Sequence, residues 1–262
     1  MNTHSIVATI GPSSHESETI SKMIEAGMSV ARLNFSHGSY EDHSKLIANI
    51  RQASQEAGVR IPIMQDLSGP RMNTDDGHGL DESAVKVITE KDLRDLDFGI
   101  QQKVDYVVLS FIATGADVRE LKDEIKKRGG NMKVVGKIER HEALHHLDDI
   151  IEASDAIMIG RGDLGQSLPL EKVPVAQKQI IARCRFMGKP VITATEMLKS
   201  MVDNDKPTRA EVTDVFNAVL DGTDATMLSE ESARGKYPVQ AVAMMRRIIK
   251  EAESYINSTK SF

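Results

Sequence analysis

The sequence predicts a (β/α)8 barrel, an α/β fold of the TIM-barrel type, as a single domain. Short apolar runs typical of buried parallel strands alternate with amphipathic segments of helical spacing. Eight segments of each kind can be assigned, with no internal repeat and no low-complexity segment. The length of 262 residues also suits this fold, which takes about 250 residues.

The predicted strands are apolar runs that end in polar or glycine-containing turns. They cover 6–10, 30–33, 61–65, 106–109, 132–135, 156–159, 190–193 and 225–228. The predicted helices follow at 16–26, 41–57, 91–103, 117–128, 141–147, 170–186, 208–220 and 239–255. Only the segment at about 74–84 departs from this alternation. Its polar, turn-rich composition predicts a short loop.

The overall composition is that of an ordinary globular protein, with 40% hydrophobic and 27% charged residues. A net charge of −6 argues against nucleic acid as a partner. The lone Cys184 allows no intrachain disulfide and fits a reducing compartment. No apolar run reaches about 18 residues and no signal peptide is visible, so we expect a cytoplasmic protein without membrane contact.

Charged residues and glycines follow two neighbouring predicted strands at their carboxyl ends. Lys137 and Glu139 follow the fifth strand, and Gly160, Gly162 and Asp163 follow the sixth. Ligands of α/β folds bind beyond the carboxyl ends of the strands. An ammonium, two carboxylates and a glycine turn suit a small anionic substrate held on Mg²⁺ or Mn²⁺. The alternative is a surface cluster of salt bridges.

Several motifs occur along the chain in an order that is characteristic of one enzyme family. They are Ala-Thr-Ile-Gly-Pro-Ser-Ser (8–14), Ala-Arg-Leu-Asn-Phe-Ser-His-Gly (31–38), Asp-Leu-Ser-Gly-Pro (66–70), Gly-Lys-Ile-Glu (136–139), Arg-Gly-Asp-Leu-Gly (161–165), Ile-Thr-Ala-Thr-Glu-Met-Leu (192–198) and Pro-Thr-Arg-Ala-Glu (207–211). Together these motifs resemble the pyruvate kinase family over nearly the whole chain.

The resemblance implies roles for the residues at the ends of the fifth and sixth strands. Lys137 matches the lysine that stabilises charge on the enolate oxygen or the transferring phosphoryl group. Glu139 and Asp163 match the Mg²⁺ ligands, and the amides of Gly162 and Asp163 match the substrate carboxylate site. Gly160 replaces an alanine beside the substrate's methyl group, so we expect a slightly wider pocket that also tolerates 2-oxobutyrate.

Two further residues match catalytic positions elsewhere in the family pattern, and two others depart from it. Thr195 matches the threonine over the C3 carbon of the substrate, and Arg32 matches the phosphate-binding arginine. Asn73 replaces an arginine that contacts nucleotide phosphates, and Ser68 stands where many members carry lysine. The substrate and metal residues are thus better preserved than the nucleotide residues.

The monovalent-cation site of the family is altered in this sequence. Asn34, Ser36 and Asp66 match the potassium ligands, but Leu67 replaces a threonine that helps complete the shell. Arg71 follows Gly-Pro, where potassium-dependent members carry glutamate and independent members carry lysine. We expect its guanidinium to replace the ion, so that K⁺ is not required.

The resemblance also implies that two domains are missing. Pyruvate kinases insert a mobile lid domain after the third strand, where this sequence has only the predicted loop at about 74–84. The regulatory C-terminal domain is expected to be absent as well. Residues 1–262 are therefore expected to form a bare pyruvate-kinase-like barrel and, as in the family, a homo-oligomer.

Three functions remain open at this point. The first is phosphoryl transfer between phosphoenolpyruvate and ADP, or from ATP to pyruvate, weakened by the missing lid. The second is a Mg²⁺-dependent lyase, aldolase or decarboxylase reaction of another 2-oxo acid, which needs only the retained residues. The third is a non-catalytic binding protein, disfavoured because it would leave the retained catalytic residues without a purpose.

One short motif points to unrelated chemistry. His141-Glu-Ala-Leu-His145 matches the H-E-x-x-H pattern of zinc proteases. That site needs a long helix and a third ligand, whereas this helix is predicted to be short and to stop at Asp148. We therefore interpret the histidines as part of an ordinary helix face.

Overall fold

The computed structural model of the chain describes residues 4–74, 77–81 and 86–259, with the backbone alone at 72–74 and 77–80. Eight parallel strands close into a barrel in the order β1-β10-β9-β8-β7-β6-β3-β2, which confirms the predicted fold class. These strands are β1 Ser5–Thr9, β2 Val30–Asn34, β3 Ile63–Asp66, β6 Tyr106–Leu109, β7 Lys133–Ile138, β8 Ala156–Gly160, β9 Val191–Ala194 and β10 Ala225–Leu228. A separate antiparallel hairpin pairs β4 Arg71–Thr74 with β5 Gly77–Leu80.

Helices follow the barrel strands, as the alternation in the sequence predicts. They are α1 Ser17–Ala26, α2 Tyr40–Glu56, α3 Glu90–Gln101, α4 Gly115–Lys127, α5 His141–His145, α6 Leu147–Ala153, α7 Arg161–Ser167, α8 Val173–Phe186, α9 Arg209–Asp221, α10 Glu230–Ala233 and α11 Pro238–Thr259. Two short 3₁₀ turns lie at Leu170–Lys172 and Lys199–Val202. Among the described residues, no helix is long and apolar enough to cross a membrane.

Contacts divide the chain into two units. The first comprises 4–33, 41–63 and 192–259, and the second comprises the described parts of 34–40 and 64–191. In the first unit, β1 pairs with both β2 and β10, and its central residues Ile6, Val7 and Ala8 are buried. Strands of a parallel barrel are covered on both faces, which explains why they appear in the sequence as continuous apolar runs. Whether 1–262 is a single domain stays a prediction.

The second unit places the charged residues of β7 and β8 together. β6, β7 and β8 pair in parallel, and Lys137 lies opposite Met158 in the register of β7 and β8. Glu139 directly follows β7, and Gly160 ends β8. Because parallel strands present their carboxyl ends at one edge, these residues meet at the same end of the sheet.

The hairpin corrects one prediction. We expected a loop at about 74–84, but Gly77–Leu80 is a strand whose register pairs Arg71 with Leu80 and Thr74 with Gly77. The prediction failed because two glycines disfavour a strand, whereas pairing with β4 overrides that local preference. Residues 75–76 and 82–85 of the same segment lie outside the described residues.

Two helix predictions also need correction. The segment predicted as one helix at 141–147 is two short helices, α5 and α6, that meet at His146. The helix predicted at 170–186 begins at Val173, after a 3₁₀ turn, because Pro174 favours a helix start. Helix α7 was not predicted at all. Its sequence, RGDLGQS, carries two glycines and lacks apolar periodicity.

Candidate active site

Lys137 provides a buried ammonium near the end of β7. Its side chain is 5% exposed, and Nζ lies 2.6 Å from Glu139 Oε1 and 3.8 Å from Asp66 Oδ2. Nζ also donates to Ser110 Oγ at 3.4 Å. A buried charge is costly unless it is paired, so these acidic neighbours are what allow the lysine to stay inside.

Glu139 is completely buried beside this ammonium. Its Oε2 accepts a hydrogen bond from the backbone N–H of Phe111 at 3.0 Å. Its Oε1 makes an ion pair with Lys137 but no well-angled hydrogen bond. Burial raises the pKa of Glu139 to about 7, and the carboxylate of Asp163 adds to the rise, while Lys137 opposes it. The carboxyl group is therefore poised between its charged and neutral forms near neutral pH.

Asp163 approaches the same place from the first turn of α7. Its side chain hydrogen-bonds with Glu139, and Arg71 Nη2 lies 3.6 Å from its Oδ2. The Arg71 guanidinium also lies over the Phe111 ring, with its carbon 5.2 Å from the ring centroid. Arg71 thus offsets part of the negative charge of the carboxylate pair.

The Glu139–Asp163 pair fits a divalent cation. Burial and the nearby Asp163 carboxylate raise the pKa of Glu139, and a bound cation would offset their effect by stabilising its charged form. Glu139 Oε1, beside the Lys137 ammonium, makes no well-angled hydrogen bond. Across the described residues, no group of three or more His, Cys, Asp or Glu side chains could hold a metal. Mg²⁺ usually takes one or two protein carboxylates and completes its shell with substrate and water.

Gly160 and Gly162 lie where the sequence predicted a glycine turn. Gly160 ends β8 and precedes the first residue of α7, and Gly162 lies in the first turn of that helix. A Cβ atom at Gly160 would come within 2.6 Å of Glu139 Cγ. Gly160 thus lies directly beside the Glu139 side chain, and its effect on the width of the substrate pocket stays a prediction.

Two predicted catalytic residues belong to the first unit. Arg32 on β2 is buried, and its Nη1 donates to Thr9 Oγ1 at 2.9 Å. Thr195 follows β9, has a φ of 70°, and donates its hydroxyl to the Ala194 carbonyl at 2.6 Å. Positive φ is costly for a β-branched residue and often marks a functional turn. The roles of Arg32 and Thr195 stay predictions.

Lysine ammonium groups lie at the residues matched to the monovalent-cation site. Asp66 faces Lys137, and the Asn34 side chain accepts the Ser36 backbone N–H at 3.2 Å. Between those two residues, the Phe35 carbonyl accepts from Lys91 Nζ at 2.7 Å. The same ammonium lies 3.2 Å from Ser68 Oγ, at the position where many family members carry lysine.

The sequence did not reveal three of these contributors. Phe111 donates its backbone N–H to Glu139, and the Ser110 hydroxyl accepts from Lys137. Lys91, on α3, donates to the Phe35 carbonyl. Backbone donors leave no mark in a sequence. The positive φ of Phe111, 57°, is equally invisible there. Only the position of Ser110 and Phe111, just after β6, could have signalled them.

The H-E-x-x-H segment is arranged differently from a zinc-protease helix. Helix α5 is five residues long and ends at His145. His141 is 49% exposed and lies 3.5 Å from Glu142, and His145 is exposed as well. The two histidines thus sit on a solvent-facing turn.

The side chain of Asn73 lies outside the described residues. Its backbone pairs with His78 in the hairpin.

Comparisons with known proteins agree with this geometry. The family model "Pyruvate kinase, barrel domain" matches residues 1–87 and 78–242, two matches that overlap over 78–87. Pyruvate kinase 1 of Trypanosoma brucei brucei is 38% identical over 341 positions, covering 98% of this chain and 68% of that protein. Pyruvate kinase of Thermococcus litoralis is 38% identical, covering 97% of this chain and 70% of the relative.

A bacterial relative shows the same pattern with a larger difference in length. Pyruvate kinase of Geobacillus stearothermophilus is 37% identical over 331 positions, covering 95% of this chain and 56% of that protein. All three alignments are longer than the 262 residues of the chain, so the relatives contain segments without a counterpart here. The matched model, the relatives and the strand-end motifs agree, and the chain belongs to the pyruvate kinase family of phosphotransferase enzymes.

Proposed function

We propose that the chain acts on phosphoenolpyruvate and pyruvate through an enolate, with Mg²⁺ or Mn²⁺ held by Glu139 and Asp163. The observation that carries the proposal is the buried Lys137 ammonium 2.6 Å from a carboxylate that also contacts Asp163. When bound, the cation would polarise the carboxylate and carbonyl oxygens of a 2-oxo acid. ADP and ATP are the proposed nucleotide partners.

Lys137 would stabilise the negative charge that develops on the substrate. Its ammonium is fixed in a dry site, so it needs no reorganisation when the charge appears. Removal of a proton from C3 of pyruvate places charge on the enolate oxygen, and phosphoryl transfer passes through the same enolate. Thr195, the proposed proton donor, belongs to the first unit and is supported only by the family resemblance.

The experiment measures exchange of the C3 protons of pyruvate with D₂O by proton NMR, in the presence of Mg²⁺ or Mn²⁺. The wild-type chain should exchange them, and a chelator should stop the reaction. Lys137→Ala should slow exchange by about 10²–10³-fold, because it deletes the charge that stabilises the enolate. Lys236→Ala is the control, since that exposed lysine pairs with Asp203 on the surface.

One result would reject this function. If the C3 protons of pyruvate exchange no faster with the wild-type chain than with the metal ion alone, the barrel does not form the enolate. The chain would then be better described as a binding protein that has kept the family's site.

A second candidate function is favoured by the hairpin. The hairpin spans only ten residues from Arg71 to Leu80, so no lid domain is inserted between β4 and β5. Decarboxylation, aldol cleavage or condensation of a 2-oxo acid needs the enolate site but no covered nucleotide. Decarboxylation of oxaloacetate, measured as the loss of oxaloacetate absorbance, tests this candidate. Lys137→Ala should slow this decarboxylation as well.

A further inference from the structure

Two consecutive residues after β9 have a strained backbone. Thr195 has a φ of 70° and Glu196 has a φ of 54°, both in the left-handed region that favours glycine. The cost is larger for Thr195, because its side chain branches at Cβ. Such strain persists only where the surrounding structure holds the chain in place. The contacts around this turn are therefore expected to include those that maintain its conformation.

The Glu231 carboxylate holds the chain just after the strained turn. Glu231 lies in α10 and is 1% exposed. Its Oε1 accepts the backbone N–H of Leu198 at 3.0 Å, and its Oε2 accepts the backbone N–H of Ser229 at 2.8 Å. One buried carboxylate thus ties the segment after β9 to the segment after β10. Removing it would take away the acceptor of a buried N–H group, which is costly.

A second carboxylate holds the same segment at Ser200. The Ser200 backbone N–H donates to Glu211 Oε1 at 2.6 Å, and Glu211 also closes the capping box of α9 with Thr208. Strand β9 fixes the chain before the turn, and the two glutamates fix it afterwards. Glu231 is the anchor closer to the strained pair, because Leu198 precedes Ser200.

The arrangement of Glu231 favours a positioning role over direct contact with a substrate. Both of its carboxylate oxygens accept backbone N–H groups. The Thr195 hydroxyl donates to the Ala194 carbonyl at 2.6 Å, and the rotamers open to this side chain depend on the backbone conformation of residue 195. A turn that relaxed to negative φ would therefore redirect this hydroxyl.

We propose that Glu231 is a positioning residue that keeps Thr195 and Glu196 in the left-handed conformation. By doing so it sets the direction of the Thr195 hydroxyl. The effect on proton delivery rests on the proposed function, in which Thr195 is the proton donor. The effect on the turn does not, because it follows from the hydrogen bonds and the backbone angles alone.

The first test measures exchange of the C3 protons of pyruvate in D₂O, with Mg²⁺ present. Glu231→Ala should lower kcat by about 10²-fold, the loss that a misplacement of about 1 Å can cause, and should change KM little. Adding Glu231→Ala to Thr195→Ala should cause no further loss, because Glu231 acts through Thr195. Losses that multiply in the double variant would overturn the proposal.

The neighbouring carboxylate provides the matched control for this test. Glu230 forms ion pairs with Lys199 and Arg234 and is partly exposed, and such surface pairs contribute little. Glu230→Gln should therefore exchange pyruvate protons at the wild-type rate. A loss as large as that of Glu231→Ala would show that charge near this segment sets the rate, and not the hydrogen bonds of Glu231.

The second test needs no substrate. Glu196→Gly should shift the thermal unfolding midpoint more favourably in the wild-type chain than in a Glu231→Ala background. In the wild type, glycine relieves the strain of positive φ, whereas the released turn no longer requires that conformation. The freedom that glycine adds to the unfolded chain is the same in both backgrounds and cancels. Equal shifts would show that Glu231 does not hold the turn.

The two tests separate this proposal from the proposed function. If the wild-type chain does not exchange the protons of pyruvate, the proposed function fails, and the unfolding test alone decides whether Glu231 holds the turn. The unfolding test also decides if Thr195→Ala exchanges as fast as the wild type. Should Glu231→Ala fail to fold, Glu231→Gln, which keeps one acceptor oxygen, takes its place in both tests.

Discussion

Glu139 shows how one residue can link pH to stability. Its pKa is raised from 4.5 to about 7 in the folded chain, mainly by burial. Between these two pH values, the folded state therefore holds a proton that the unfolded state has lost. The stability that this difference contributes is fully present below about pH 4.5 and disappears as the pH rises through about 7. It amounts to about 1.4 kcal/mol for each unit by which the pKa is raised.

We therefore expect the metal-free chain to lose stability from pH 5 to pH 7 through this residue. Urea unfolding at a series of pH values measures the change. Glu139→Gln cannot ionise and keeps the same shape, so the difference between the two proteins isolates the effect. Parallel pH curves for wild type and Glu139→Gln would contradict the assigned pKa.

Potassium dependence is also decided by individual side chains. The Asp66 carboxylate already faces Lys137 at 3.8 Å, and the Phe35 carbonyl already accepts from Lys91 at 2.7 Å. Arg71 adds a guanidinium at Asp163. We propose that these side-chain cations supply the positive charge that a monovalent ion would otherwise provide.

We predict that exchange of pyruvate protons proceeds equally well in K⁺ and in tetramethylammonium salts. The measurement is the exchange rate at matched ionic strength, with Mg²⁺ present in both. A strong stimulation by K⁺ would show that the ammonium groups do not replace the ion.

At the scale of elements, we propose that the small β4–β5 hairpin limits how well a nucleotide is held. Phosphoryl transfer requires alignment of the two substrates and exclusion of water. The hairpin strands are four residues each, which is far smaller than a domain. A nucleotide bound at this end of the barrel would be covered poorly.

The expected consequence is weak kinase activity in the isolated chain. A coupled assay with phosphoenolpyruvate, ADP and Mg²⁺ should give a turnover below the ordinary enzyme range of about 1–10³ s⁻¹. Proton exchange measured on the same preparation is the control, because it needs no nucleotide. A turnover within the ordinary range would show that a lid is unnecessary.

Elements also show where sequence reasoning reaches its limit. The barrel strands were predicted because burial on both faces leaves continuous apolar runs, as in Ala156–Gly160. Helix α7 and strand β5 were missed because each contains two glycines and depends on its neighbours for its conformation. Local propensity could not reveal either.

For the whole molecule, the motifs indicated which residues form the candidate site but not the contacts that hold those residues in place. Lys137, Glu139 and Asp163 were identified from the chain alone, and the structure brings them together. The hydrogen bond from the backbone N–H of Phe111 to Glu139 could not be inferred. It depends on the distance between two residues that lie far apart in the sequence.

The pairing of β4 with β5 has an evolutionary consequence. Thr74 and Gly77 lie opposite each other in the register, so the chain leaves and re-enters the hairpin at neighbouring points. A whole domain whose termini are adjacent could be spliced in there without moving any barrel strand. The hairpin turn is therefore a point at which a domain could be gained or lost while the barrel strands stay in place.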